Sequence, residues 1–152
     1  MGAVRRVDFK SDFFSAPCLE VDVDGSILRY VDANPMAAAR VQTLFAKEPT
    51  TIPWLDCMEP ADILIDVGAN IGLYSIYAAV VAGCRVFAFE PESLNYAELN
   101  KNIHVNGLHD RVSAFCLALS DESKVGYLHL GAFGYAYSHH DFGENTWTKD
   151  MV

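Results

Sequence analysis

Three short apolar runs alternate with two helical segments, and this order constrains the fold more than any other feature of the chain. The runs are ILIDV (63–67), RVFAF (85–89) and VSAFCLAL (112–119), and the helical segments span 71–81 and 93–106. Runs that are apolar almost throughout are typical of parallel strands covered on both faces. Strand, helix, strand, helix, strand in this order predicts an α/β fold with right-handed crossovers and a doubly wound, mostly parallel sheet.

The second helical segment has a clear apolar face. Tyr96, Leu99 and Ile103 share that face, whereas Glu98 and Lys101 are assigned to solvent positions. Gly107 follows as the expected stop of the helix.

The N-terminal part carries a different pattern. Residues 19–31 alternate in polarity around Asp24 and Gly25, a pair that favours a tight turn between two antiparallel strands. Asn34 and Pro35 then predict an N-cap and the first residue of a helix through MAAARVQTLFAKE.

A proline-containing connector, 48–62, separates the two patterns and has room for one short helical turn. The sequence is therefore divided into 1–60, with the hairpin, helix and connector, and 61–152, with the alternating strands and helices. KVGYLHL (124–130) is a candidate for one more strand, and the rest of the tail is predicted as loop.

Acidic residues outnumber basic ones by 20 to 11, which gives a net charge of −9. Such a field repels phosphate backbones and anionic lipids, so we expect neither nucleic acid nor a membrane as a partner. The first residues contain arginines but no apolar run, which is typical neither of a secretory signal nor of a membrane span. Four scattered cysteines without a CxxC pair favour reduced thiols in a cytoplasmic protein.

The stretch DVGANIG (66–72) lies where the first apolar run meets the following helix. Gly68 lets the backbone come close to a bound molecule, and Gly72 allows tight packing at the helix start. We therefore predict a ligand site at the carboxyl edge of the first strand, with backbone N–H groups of the turn facing the ligand. A dinucleotide fingerprint would need glycines where this chain has Asn70 and Leu73.

Glu90 closes the second strand, 18 residues after Gly72. A carboxylate at this point can accept hydrogen bonds from both hydroxyls of a ribose. The glycine turn contains no lysine or arginine, and Asp66 would repel a phosphate, so we expect a ligand with hydroxyls or positive charge. The alternative interpretation is that Asp66 and Glu90 only cap the helices that follow their strands.

At these residues the chain resembles the S-adenosylmethionine-dependent methyltransferases, and more narrowly the FkbM family. DVGANIGLYS resembles the first motif of that family, AFEP the second, and NKNIHVNGLHDRVSAFCLALSD the stretch through the third strand. The resemblance covers about 48–121, and the three motifs together are far more specific than a single glycine motif.

The resemblance implies a Rossmann-like class I methyltransferase fold, incomplete at the C-terminus and preceded by a β-hairpin and a helix. It makes 61–152 the cofactor-binding first half of the domain and S-adenosyl-L-methionine the cofactor. Asp66 and Gly68 would face its methionine part, and Glu90 would hold its ribose. The residues implied to bind or shape the cofactor site are Asp66, Gly68, Ala69, Asn70, Gly72, Glu90, Pro91, Ala118 and Leu119.

Members of the family are taken to methylate hydroxyl groups, often on sugars or secondary metabolites, which implies a small-molecule acceptor. Alignment can supply most of the catalysis of such a displacement, and a base is helpful but not obligatory. The candidates for a base are His139 and His140, with Asp141 beside them, because histidine titrates near neutral pH. Neighbours in sequence rarely converge on one ion, so no metal is predicted.

The chain departs from the family pattern after Asp121, where further strands are expected and KVGYLHL alone is found. The first strand would then keep one apolar edge unpaired, which promotes association. We therefore expect a fragment of a longer enzyme, or a chain that forms a homodimer through this sheet edge. Two other functions stay open: a non-catalytic cofactor-binding or dimerising module, and an NAD-dependent oxidoreductase, which the absent glycines disfavour.

Overall fold

The computed structural model describes residues 4–130, residue 136 and the backbone of 141–143. Its strands are β1 (Val4–Lys10), β2 (Ser15–Val23), β3 (Ser26–Val31), β4 (Ile63–Val67), β5 (Arg85–Phe89), β6 (Val112–Phe115), β7 (Tyr127–His129) and β8 (Asp141–Gly143). Its helices are α1 (Pro35–Gln42), α2 (Thr51–Leu55), α3 (Leu73–Tyr77), which a π-helical turn over Ala78–Ala82 continues, and α4 (Ser93–Val105).

A parallel sheet forms the centre of the fold. Its order is β4-β5-β6, and Leu64, Val86 and Val112 lie opposite one another across it, buried in the main core. The connection from β4 to β5 contains α3, and the connection from β5 to β6 contains α4. The predicted α/β fold with a parallel sheet and helical crossovers is confirmed.

The N-terminal residues form a three-stranded antiparallel sheet, β1-β2-β3. Its predicted hairpin turn is present, with positive φ angles at Asp24 (50°) and Gly25 (90°). The predicted start of α1 is also present, since the Asn34 side chain accepts a hydrogen bond from the Ala37 amide and Pro35 is the first helical residue.

Several boundaries differ from the predicted ones. α1 ends at Gln42, several residues early, where the Thr43 hydroxyl donates to the carbonyls of Ala39 and Arg40. β6 ends at Phe115 instead of continuing to residue 119, and the predicted loop of the tail contains β8, which pairs with β7. β1 was not predicted, because its sequence, VRRVDFK, is rich in charged residues. In the structure this strand is mostly exposed.

Two asparagines of α4 join the antiparallel sheet to the rest of the fold. The Asn102 side chain accepts from the Val31 amide (2.7 Å) and donates to the Ile71 carbonyl (2.8 Å). Asn106 exchanges two hydrogen bonds with the backbone of Arg29. These side chains provide hydrogen-bond partners for backbone groups on the outer edge of β3. One main core contains residues from both 1–60 and 61–152. The division of the chain into these two segments stays a prediction.

The edge strand of the parallel sheet, β4, exposes one row of aliphatic side chains. Ile63, Ile65 and Val67 are 54%, 53% and 61% exposed. Among the described residues no strand pairs with the outer edge of β4. The unpaired apolar edge expected from the sequence is therefore present in the described part of the protein.

Candidate cofactor site

A cavity of about 320 Å³ opens at the carboxyl ends of β4 and β5, next to the end of α1. Its lining residues are Arg40, Lys47, Asp66, Gly68, Ala69, Asn70, Leu73, Tyr74, Glu90 and Pro91. The structure thus brings six of the residues predicted for a cofactor to one cavity: Asp66, Gly68, Ala69, Asn70, Glu90 and Pro91. This volume is at the lower end of the range for small-molecule sites.

The glycine turn between β4 and α3 has a left-handed backbone at Gly68 (φ 75°), Asn70 (φ 53°) and Gly72 (φ 83°). The expectation that the turn presents its N–H groups to a ligand is wrong for Gly68 and Ala69. Both amides donate to the Phe89 carbonyl, at 2.9 and 3.0 Å. The turn is closed onto the end of β5, because buried backbone donors find a partner within the protein where they can.

Gly72, which was predicted to shape the cofactor site, does not line the cavity. A Cβ at this position would overlap the Leu99 side chain of α4, which is fully buried. At Gly68, by contrast, a Cβ would meet nothing within 4 Å. The two glycines therefore serve different purposes: one allows α3 and α4 to pack, and the other leaves the cavity open.

Glu90 connects the glycine turn to the end of β5. It is 4% exposed, and its two carboxylate oxygens accept hydrogen bonds from the amides of Asn70 (2.7 Å) and Glu92 (2.9 Å). Glu92 is the residue that caps α4, through the amides of Leu94 and Asn95. The alternative interpretation of Glu90 as a helix cap is therefore wrong: it holds two loops together at the cavity wall.

Asp66 is the second carboxylate of the cavity. Its side chain accepts a hydrogen bond from the buried Ser75 hydroxyl of α3 at 2.6 Å. Burial raises the pKa of Asp66, and the hydrogen bonds from Ser75 oppose that rise. A hydrogen bond to a partly buried carboxylate fixes its orientation, so Asp66 presents a defined acceptor at the end of β4.

The remaining predicted residues are not brought to this cavity. Ala118 and Leu119 line a different cavity, formed by residues 117–124, and Leu119 is 50% exposed. The regular strand ends at Phe115, so no strand pairing fixes the direction of these two residues, and their part in the cofactor site stays a prediction. His139 and His140 lie outside the described residues, and Asp141 lies in β8, where the backbone alone is described.

Sequence reasoning missed four residues of the cavity, Arg40, Lys47, Leu73 and Tyr74. An arginine in the last turn of a helix is ordinarily explained by the helix dipole, so Arg40 gave no signal of a site. Tyr74 follows Gly72 by two residues. Its position at a helix start next to the predicted ligand site is the feature of the sequence that could have indicated its place in the cavity. Among the described residues no three histidine, cysteine or acidic side chains form a group that could hold a metal ion.

No protein-family model matches the chain. In sequence it is similar to a tRNA(Phe) (4-demethylwyosine(37)-C(7)) aminocarboxypropyltransferase of Pyrococcus horikoshii, with 24% identity over 93% of this chain and 49% of that protein. It is also similar to the 31-O-demethyl-FK506 methyltransferase FkbM of Streptomyces tacrolimicus, with 38% identity over 45% of this chain and 26% of that protein. The chain spans about half the length of the first of these relatives and less of the second.

Two solved structures are similar to the fold. P. horikoshii TYW2 in complex with MeSAdo has a TM-score of 0.43 and 23% identity over 72% of this chain and 38% of that chain. A SAM-dependent methyltransferase from Agrobacterium tumefaciens has a TM-score of 0.41 and 12% identity over 73% of this chain and 38% of that chain.

Proposed function

We propose that the cavity binds S-adenosyl-L-methionine and that the chain is the cofactor-binding part of a methyltransferase of the FkbM type. One observation carries the proposal: Asp66 and Glu90, at the ends of adjacent strands, line one cavity with the open glycine position Gly68 between them. The two carboxylates fit S-adenosyl-L-methionine, because a carboxylate accepts hydrogen bonds from ribose hydroxyls and attracts the positive charge of the cofactor. The 38% identity to the FkbM methyltransferase supports the same assignment.

The bound cofactor would supply an electrophilic methyl group. An acceptor hydroxyl would take this methyl group, the cofactor would leave as a neutral thioether, and the hydroxyl proton would go to a base or to water. Glu90 would orient the ribose, and Asp66 would interact with the positively charged end. Positioning of this kind accounts for a large part of catalysis in displacements.

The acceptor that we propose is a hydroxyl of a small molecule, such as a sugar or a secondary metabolite. The P. horikoshii relative is named for a tRNA, but a net charge of −9 opposes a polyanionic acceptor here. In the part of the chain that the structure describes, no helix is long and apolar enough to cross a membrane. All four cysteines are free, which supports a reducing compartment such as the cytoplasm.

His139, His140 and Asp141 remain the proposed candidates for a base. The carbonyl of Ala136 accepts a hydrogen bond from Arg40, which lines the cavity. His139 and His140 follow Ala136 by three and four positions in the sequence, and this closeness along the chain supports the proposal.

Calorimetric titration with S-adenosylhomocysteine, with NAD as the control ligand, tests the cofactor. We expect binding of the first alone, with a Kd of roughly 1 μM to 1 mM, the usual range for enzyme ligands. Binding of NAD in preference would replace the proposal by the oxidoreductase alternative, and a folded chain that binds neither would contradict it. In assays with candidate acceptors, release of S-adenosylhomocysteine indicates methyl transfer, whereas release of 5′-methylthioadenosine indicates aminocarboxypropyl transfer.

We also propose a homodimer that forms through the outer edge of β4. β4 carries no charged side chain among its exposed residues, Ile63, Ile65 and Val67, which share one face of the sheet beside that edge. Natural edges are usually protected by charge or by a covering element. Light scattering after size exclusion should give twice the chain mass, and Ile65→Lys should give the monomer. Val125→Lys, at a fully exposed loop position, is the control. A monomeric wild type would exclude the dimer.

A further inference from the structure

Arg40 is a half-buried cation held at the wall of the cavity. It lies in the last turn of α1, and its Nε donates to the Ala136 carbonyl at 2.6 Å. Ala136 is itself buried, and its amide donates to the Asn95 side chain at 2.7 Å. The guanidinium is thus fixed at one nitrogen, and its other two nitrogens have no recorded partner among the described residues.

Among residues 4–130, 136 and 141–143, the structure records no hydrogen bond from the Nη1 or Nη2 atoms of Arg40 and no carboxylate within 4 Å of its side chain. Other arginines of the chain are satisfied within the protein. Arg5 and Arg29 pair with Glu20, and Arg111 donates to the Gly83 carbonyl. A partly buried cation without an ionic partner is unusual, because desolvating a charge costs free energy unless an anion compensates it.

Among the described residues the structure records no ion pair between Arg40 and either carboxylate of the cavity, although the charge of Glu90 acts to raise the pKa of Arg40. Both oxygens of Glu90 already accept amide hydrogen bonds, and Asp66 accepts from Ser75. They line the cavity together with Arg40, so the cavity offers negative groups and a positive group to one ligand. Burial lowers the pKa of Arg40, but an arginine side chain stays protonated in proteins at neutral pH.

We propose that Arg40 binds the carboxylate of the amino-acid part of the cofactor through its Nη1 and Nη2 atoms. The inference rests on the proposed function, since S-adenosylmethionine joins a nucleoside and a positive charge to one carboxylate. The two terminal nitrogens of a guanidinium match the two oxygens of a carboxylate in a bidentate pair, which is stronger than a neutral hydrogen bond. Lys47, exposed at the same cavity, adds positive charge at this end.

The test compares two nucleosides on two proteins. S-Adenosylhomocysteine carries the carboxylate, whereas 5′-methylthioadenosine has the same nucleoside and sulfur without the amino-acid part. In calorimetry on the 152-residue chain, Arg40→Gln should weaken the binding of S-adenosylhomocysteine by about 10-fold to 100-fold, the range of a charged hydrogen bond. The binding of 5′-methylthioadenosine should stay unchanged. Arg85→Gln, at an exposed position of β5, is the matched control and should change neither.

The outcomes distinguish a failure of the Arg40 contact from a failure of the proposed cofactor binding. If Arg40→Gln weakens both ligands equally, Arg40 supports the fold of the site and the carboxylate contact is wrong. If it weakens neither, the free guanidinium serves another anion, such as one on the acceptor, and the inference is overturned while the proposed function stands. If the wild type binds neither nucleoside, the proposed function fails and the inference fails with it. Arg40→Lys, which keeps the charge but not the bidentate geometry, should give an intermediate loss.

Discussion

Replacing Gly72 by alanine should lower the free energy of unfolding by about 2–5 kcal/mol. Two costs add at this position. A non-glycine residue in the left-handed region, here at φ 83°, costs about 1–2 kcal/mol. The new Cβ would also overlap the buried Leu99 side chain, and overpacking of a core typically costs about 1–3 kcal/mol. Urea denaturation followed by far-UV circular dichroism measures the change.

Gly68→Ala is the matched control for this prediction. Gly68 has a similar φ of 75°, but a Cβ there meets open space, so the expected loss is about 1–2 kcal/mol from the backbone alone. In a Leu99→Val background, which removes the overlapping atom, Gly72→Ala should cost less than in the wild type, and a double-mutant cycle measures that coupling. Equal losses for the two glycines, with no coupling to Leu99, would contradict the packing role of Gly72.

The parallel sheet could be predicted because apolar runs alternate with helical segments along the chain. The runs that became β4 and β5 have the predicted bounds, since each is mostly apolar and is followed by a clear helix start. The expectation that the strands are covered on both faces is wrong for β4, where Ile63, Ile65 and Val67 are exposed. The run at 112–119 misled at its end, because apolar composition does not show where a partner strand stops. β6 pairs with β5 alone, and β5 ends at Phe89, opposite Phe115.

Glu98 shows what the sequence could not supply. The helical pattern assigned it to solvent, yet it is fully buried, and its one ion pair is with Lys101 at 3.0 Å. Burial raises the pKa of Glu98, and Lys101 opposes that rise. The residue is covered because α4 packs against β3 of the antiparallel sheet, a contact between segments far apart in sequence. Periodicity reports a polar face, but it does not report which element will cover it.

The part of the candidate site that is formed by consecutive residues of the chain was predictable. The part that is formed by residues from distant elements was not. The positions of Asp66, Gly68 and Asn70 at one cavity follow from a strand, a turn and a helix that are consecutive in the chain. Arg40 enters from α1, and its place depends on the docking of the N-terminal part. The direction of the Gly68 and Ala69 amides depends on the Phe89 carbonyl of another strand, so the sequence alone did not reveal it.

Replacing Glu90 by glutamine should both destabilise the protein and weaken its cofactor binding. The two carboxylate oxygens accept from the amides of Asn70 and Glu92, whereas a glutamine offers one oxygen and turns an NH₂ group towards the other amide. One buried donor then loses its partner, at a cost of about 1–3 kcal/mol in unfolding free energy. The ribose contact proposed for Glu90 would lose its charge as well, so affinity for S-adenosylhomocysteine should fall about tenfold or more.

Glu92→Gln separates the two effects, because Glu92 differs from Glu90 in one relevant respect. It is 3% exposed and accepts two amide hydrogen bonds, from Leu94 and Asn95, but it does not line the cavity. Denaturation should show similar losses of stability in the two variants. Calorimetry under conditions where both variants are fully folded should show the tenfold loss of affinity for S-adenosylhomocysteine in Glu90→Gln alone. Equal affinities in the two variants would mean that Glu90 acts by bracing the glycine turn, and the ribose contact would have to be assigned elsewhere.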